Sequence, residues 1–377
     1  FPIFLIYNKF SKKGMGIWLI PYLYHRKKSG QNNKLIHIMF CVADHYEPFH
    51  GGADFEEARR CVAAWSKGYP AMANHFTDAD GKHPQHTWFY PPHLNHRFLN
   101  DLVEMCLHGY GEIEMHLHHN RMQPFPDTSK TLKTKILKCI EDYSQWGIFC
   151  LPDGSKKYAF IHGDWSLDNA AGSKICGVNN EIQILKETGC YADFTFPAIN
   201  KCQPKMVNCI YYAKDDPQRP KSYNNGIEVT VHGEPSEFDL MMVTGPIGLR
   251  SKKWKGKLTI PAIESGSFGK MNRPTQDRVD FWIQQGICVK GKPNWIFVKL
   301  HTHGGPTENH DVNFGRTAKK MYNYLCTKYN DGQNYSLHFV TAREMYNVIK
   351  AAEAGMNGNP NAFRNYIIPE YTYKKRG

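Results

Sequence analysis

The chain has 377 residues, 41% of them hydrophobic, enough to bury one large or two ordinary domains without covalent staples. Its 11 cysteines are scattered singly with no Cys-x-x-Cys pair, which indicates neither a disulfide framework nor a cysteine zinc site and points to a reducing, cytoplasmic setting. The formal charge of +12 favours acidic partners, but no RNA-binding aromatic signature, zinc finger or helix-turn-helix spacing accompanies it, so nucleic acid is not expected as a partner.

Residues 1–34 read as an apolar and basic extension. Its apolar runs are broken by Lys9, Lys12 and Lys13, and neither reaches the roughly 20 apolar residues of a membrane-spanning helix. The stretch 17–24, followed by His25-Arg26-Lys27-Lys28, suits either packing on the main domain or peripheral contact with a membrane surface.

From residue 35 strand-like and helix-like segments alternate, which predicts an α/β architecture. Strand 35–44 leads to a helix over 54–76 with Asp54 as its cap and acids in its first turn. Strand 85–90, helix 95–108 ended by Gly109, strand 112–118 and helix 129–146 follow, then strand 158–162, helix 180–188 ended by Gly189, and strand 191–197. The rhythm fails over 200–263, where short β-like runs at 207–213, 227–232 and 239–243 suggest an insertion or β-rich flap. It resumes with helix 275–285, strand 295–303, helix 313–329, strand 336–340 and helix 342–354. About seven β/α units predict a distorted (β/α)7 barrel over 35–354, with 355–377 as a loosely ordered tail.

The segment Glu112-Ile113-Glu114-Met115-His116-Leu117-His118-His119-Asn120 carries the most chemistry. Alternation along a strand puts Ile113, Met115 and Leu117 on one face and Glu114, His116 and His118 on the other, with the two imidazoles about 6 to 7 Å apart at Cα. That is half of a transition-metal site. Reactive residues of β/α barrels sit at the C-terminal ends of strands. Here those ends read Ala43-Asp44-His45-Tyr46-Glu47-Pro48, His86-Thr87-Trp88-Phe89-Tyr90-Pro91, His116-Leu117-His118-His119 and Ile161-His162-Gly163-Asp164-Trp165, with Asp193 after the next strand and Lys299-Leu300-His301-Thr302-His303 near the end. Two imidazoles and a carboxylate with open positions suit zinc, or cobalt, manganese or iron. Asp44 is the nearest carboxylate of the right kind, and Glu114 is its competitor deeper in the strand. A metal that acidifies water makes hydrolysis the economical chemistry, with His301 or His303 as general acid.

With these residues in place, the chain resembles the polysaccharide deacetylase superfamily, the NodB-like carbohydrate esterases built on a distorted seven-stranded β/α barrel. Ala43-Asp44-His45, Glu114 to His119 and Lys299-Leu300-His301 stand, in order, where that family has its Asp-Asp, histidine and leucine-histidine motifs. The resemblance implies either Asp44 as base with His45 as ligand, or Asp44 as ligand with the family's usual base absent; Asp44 as metal ligand, with His45 standing in as base, is carried forward. The family's second histidine falls on Asn120, so His116 and His118 are taken as ligands by strand geometry, with His119 as substitute. The family's arginine has no counterpart at Ile161-His162-Gly163, which marks a divergent branch. Trp88, Tyr90, Trp165 and Asp193, with His162 and His303, are expected to line the substrate groove, because aromatic faces stack on sugar rings and carboxylates accept sugar hydroxyls.

The function expected is metal-dependent removal of N- or O-acetyl groups from a surface polysaccharide or its lipid-linked precursor. The alternatives are a catalytically silent, metal-containing carbohydrate-binding or scaffold protein, and a metal-dependent glycosidase or amidohydrolase. Amidohydrolases carry His-x-His on the first strand, whereas here it follows on the third.

Overall fold

In the computed structural model, which describes residues 13–25, 34–92, 94, 96–119, 126–235, 239–254 and 258–376, the apolar run after residue 35 becomes an interior strand of a 10-stranded sheet. This strand, β1 (Ile36–His45), is buried from His37 onward. It has ladder partners on both edges and side chains packed on both faces, which is why its sequence is apolar almost without interruption. The first half continues with α2 (Phe55–Ala73), β2 (His86–Tyr90), α3 (Leu99–Leu107), β3 (Gly111–Leu117), α4 (Ser129–Ser144), β4 (Tyr158–His162), α5 (Glu181–Glu187) and β5 (Cys190–Asp193), after an initial helix α1 (Met15–His25). Asp54 caps α2 as expected, its carboxylate accepting the Glu57 amide at 2.8 Å.

The second half holds β6 (Ile210–Ala213), β7 (Gly226–Glu228), β8 (Leu240–Val243), β9 (Gly248–Trp254), β10 (Leu258–Glu264), α6 (Gln276–Gln284), β11 (Trp295–Thr302), α7 (His310–Asn313), α8 (Arg316–Lys328), β12 (Tyr335–Phe339) and α9 (Ala342–Glu353). Strand order is β11-β1-β2-β3-β4-β5-β8-β6-β7, with β12 also paired to β1. The region expected as an insertion divides three ways. β8 joins the main sheet parallel to β5, β6 and β7 extend its edge antiparallel, and only β9 and β10 stand apart as a hairpin.

The expected closed barrel is not what the ladder forms among the described residues, because β7 and β11 remain the two ends of the sheet. Irregular chain approaches β11 instead. Gly266 and Phe268 exchange backbone bonds with His301 at 3.0 Å each, and Lys299 Nζ donates to the carbonyls of Phe194 and Phe196, both at 2.6 Å. A Cβ on Gly245 would lie 2.3 Å from the Lys299 carbonyl, so glycine is what lets that backbone come so close.

The C-terminal tail is ordered, contrary to the sequence expectation. Ile368 and Tyr371 are buried, and the Tyr371 hydroxyl donates to Glu114 at 2.8 Å. Arg364 binds Asp78, Asp80 and Glu344 together. At the other end α1 buries Trp18 and Tyr22 against Val207 and Ile247 while Ile20, Leu23 and Tyr24 remain exposed. The basic residues 26–28 lie outside the described residues, and no described helix is long and apolar enough to cross a membrane.

Candidate metal centre

The register of the parallel strands decides which side chains share a face. Ala43 pairs with His301 and with Thr87, and His45 pairs with Phe89, so these residues and their i±2 neighbours lie on one side of the sheet, here called inner. Glu114 pairs with Phe89, which brings Glu114, His116 and His118 to the same side. Ring contacts agree: the His45 imidazole lies 5.0 Å from His116, 6.0 Å from His301 and 4.8 Å from His303, centre to centre.

Period-two alternation then forces Asp44 to the other face, and there the structure corrects the sequence reading. Asp44 accepts from the Gly304 amide at 2.6 Å and lies 2.9 Å from His86 Nε2, beside the indole of Trp65 from α2. The carboxylate that meets the paired imidazoles is Glu47, in the loop just past β1. Its Oε1 lies 2.9 Å from His118 Nε2 and 4.0 Å from His116 Nε2. Glu47, His116 and His118 offer one ligand atom each, all within 4.8 Å of one another.

Two features of this trio fit a divalent metal. The Nδ1 of His116 lies 3.0 Å from the Ile161 carbonyl, which can only accept, so Nδ1 carries the proton and the unpartnered, buried Nε2 presents its lone pair toward Glu47. Beneath the other ring, a Cβ on Gly163 would fall 2.3 Å from His118 Nδ1, so the glycine makes room for the imidazole. Charge is also suitable. Burial disfavours a charged His118, but Asp164 and Glu47 outweigh it and hold the imidazole up to about 9. Burial would likewise raise Glu47, yet the bonds from His118 and His50 and the field of His116 bring it well below the usual carboxylate range. A cation bound there would take the place of the His118 proton between the same acids.

Around the trio stand groups held neutral. Burial, followed by the neighbouring His303 and His116, keeps His45 far below the ordinary imidazole value. Burial and Lys299 do the same to His301, and burial lowers His303. The Trp165 ring lies 5.9 Å from His45, 6.4 Å from His301 and 6.2 Å from His303, forming an aromatic wall. Glu47, His118, Asp164 and His303 are only partly buried, so the centre reaches solvent.

Of the other expected groove residues, Trp88 and Tyr90 belong to the outer face and the core. Trp88 packs on Trp65, Tyr69 and His86, and Tyr90 on Tyr46 and Tyr143. Asp193 is buried and bonded to Thr195, with burial pushing it up to about 7. Glu114, the competing ligand, accepts from Tyr191, Tyr371 and the Ala159 amide, leaving it committed below the site. His162 and His119 come together elsewhere, with Cys176 and Glu181. A separate cleft of about 760 Å³ is lined by Arg250, Lys252, Arg273 and Arg278 among others, and its wall residue Ser267 forms a β-bridge with His301.

No family model and no curated protein matches the sequence. Among solved structures, the chain is similar to a "putative polysaccharide deacetylase" from Mycobacterium smegmatis, with a TM-score of 0.47 and 9% identity over 88% of this chain and 96% of that one. It is also similar to an alpha-mannosidase from Enterococcus faecalis V583, with a TM-score of 0.39 and 9% identity over 84% of this chain and 29% of that one. Likenesses this distant leave the chemistry to be argued from the side chains.

Proposed function

We propose that the protein is a metal-dependent hydrolase acting on a carbohydrate, removing N- or O-acetyl groups from a polysaccharide or its lipid-linked precursor. The observation that supports this best is the meeting of Glu47, His116 and His118 on the inner face, ringed by three further imidazoles and an indole. These three residues would hold the ion, zinc foremost, with cobalt, manganese or iron compatible with two imidazoles and a carboxylate. When bound, such a metal acidifies water and polarises a carbonyl.

The chain's own groups supply the rest. His45, held neutral with its Nε2 buried and unpartnered, is suited to take a proton from water, a role the aspartate of the first motif cannot fill from the outer face. His301, itself held neutral, would receive that proton from His45, whose ring centre lies 6.0 Å away, and then pass it to the departing amine or alkoxide, with His303, 4.8 Å from His45, as the alternative carrier. Trp165 would stack against the sugar ring, and the basic cleft beside β11 would receive acidic groups of a longer glycan.

The test is acetate release from acetylated chito-oligosaccharides by the metal-loaded protein. Release should disappear on chelation, return with zinc or cobalt, and fall at least about 100-fold in Glu47→Gln and His116→Ala. Metal binding without acetate release would instead indicate a silent carbohydrate-binding protein, and release of free sugar would indicate a glycosidase.

A further inference from the structure

A second cluster lies on the opposite side of β3 and β4. His119 follows His118 and therefore turns outward, and His162 ends β4 with its side chain on that same outer side, since it pairs with Leu117. The two rings lie 4.4 Å apart. Cys176 comes from the irregular segment between β4 and α5, and Glu181 from the first turn of α5. One donor atom from each of these four residues lies within 4.8 Å of all the others, and all four are buried.

The contacts have the spacing of a ligand set. Glu181 Oε1 is 2.9 Å from His119 Nε2 and 3.5 Å from His162 Nε2, while Cys176 Sγ approaches the far edge of two of these groups, 3.4 Å from His119 Nδ1 and from Glu181 Oε2, with one donor atom of each residue still within 4.8 Å of all the others. Tetrahedral zinc, with bonds of about 2.0–2.3 Å, separates its ligands by about 3.3–3.7 Å. Despite these short distances, His119 Nε2, His162 Nε2 and Glu181 Oε1 have no partner in hydrogen-bonding geometry, a costly state for buried polar atoms. The other edge of each group is occupied. His162 Nδ1 bonds the Gly163 carbonyl, Glu181 Oε2 accepts the Asp168 amide at 2.7 Å, and Asp127 Oδ2 stands 3.9 Å from His119 Nδ1. The bonds on His162 Nδ1 and Glu181 Oε2 leave His162 Nε2 and Glu181 Oε1 facing His119 Nε2.

We infer that His119, His162, Cys176 and Glu181 form a second, structural metal site with four protein ligands and no position left for substrate. Nitrogen, sulfur and oxygen donors in this combination suit zinc. Its consequence is local. The segment it would fasten carries Asp164 and Trp165 into the first centre and holds Asp164, Trp165, Asp168 and Asn169 at positive φ, a conformation that persists only when surrounding contacts fix it. This site does not depend on the hydrolase reading, because none of its ligands belongs to the first trio.

Cobalt substitution of the full-length protein tests it. The wild type should show a thiolate-to-cobalt charge-transfer band in the near ultraviolet that persists in Glu47→Gln and is lost in Cys176→Ser, together with one equivalent of tightly held metal. A wild-type cobalt protein without a thiolate band overturns the inference, as does a Cys176→Ser protein that keeps the band and its full metal content. Should Cys176→Ser fail to fold, the wild-type spectrum alone decides. If the first centre were the one to fail, a single equivalent would remain and would still depend on Cys176.

Discussion

At the scale of residues, one register fact separates Glu47 from Asp44. A strand cannot present neighbours to the same face, so once His45 joins His116 on the inner side, Asp44 must face α2. The alternation was legible in the sequence, but the choice of Asp44 as ligand beside His45 as base overrode it. Glu47 lies past the strand end, where no period applies, and nothing in the pattern singles it out. The same applies to Trp88 and Tyr90, because β2 is buried on both faces, each carrying aromatic and polar residues, and its sequence does not say which one looks inward. A residue-scale prediction concerns His37, whose Nδ1 is 2.9 Å from His338 Nε2 at the start of β1. Burial and then His338 lower His37 to about 4, below its unfolded value near 6.5. A depressed histidine contributes stability above its unfolded pKa that is lost as pH falls through the folded one. Wild-type stability should therefore fall between pH of about 6.5 and 4, and His37→Gln should lose less over that window, by on the order of 1–2 kcal/mol. Urea melts at both ends would measure this, and an identical loss in both proteins would refute the assignment.

At the scale of elements, most boundaries were readable because hydrophobic period and caps agree. Strand 158–162 matches β4, and the helix expected from Ser129 begins there, capped by Thr128. The tail was not readable: its few apolar residues show no period, and its value lies in isolated long-range contacts. Arg364 is the strongest of these, bonded to Glu344 at 2.9 Å, Asp80 at 2.9 Å and Asp78 at 3.2 Å. Removing that guanidinium leaves buried carboxylates without a counter-charge, so Arg364→Met should destabilise the protein by about 3–5 kcal/mol. A shift in the denaturation midpoint worth less than about 1 kcal/mol would show that the tail is dispensable.

At the scale of the molecule, alternating β/α units predicted an α/β fold, and the large sheet, parallel from β11 through β1 to β5 and β8, bears out that much. Ring closure was not predictable, since it depends on whether irregular chain near Gly245 and Gly266 completes a ladder, and a sequence period says nothing about that. The open sheet still gathers β1, β3 and β11 around one inner space, which is what the hydrolase reading needs. Anomalous diffraction at the zinc edge from metal-soaked crystals tests that need directly. A peak within bonding distance of Glu47, His116 and His118, with Asp44 still bonded to Gly304, is the predicted result; no peak there, or one on Asp44 instead, would contradict it.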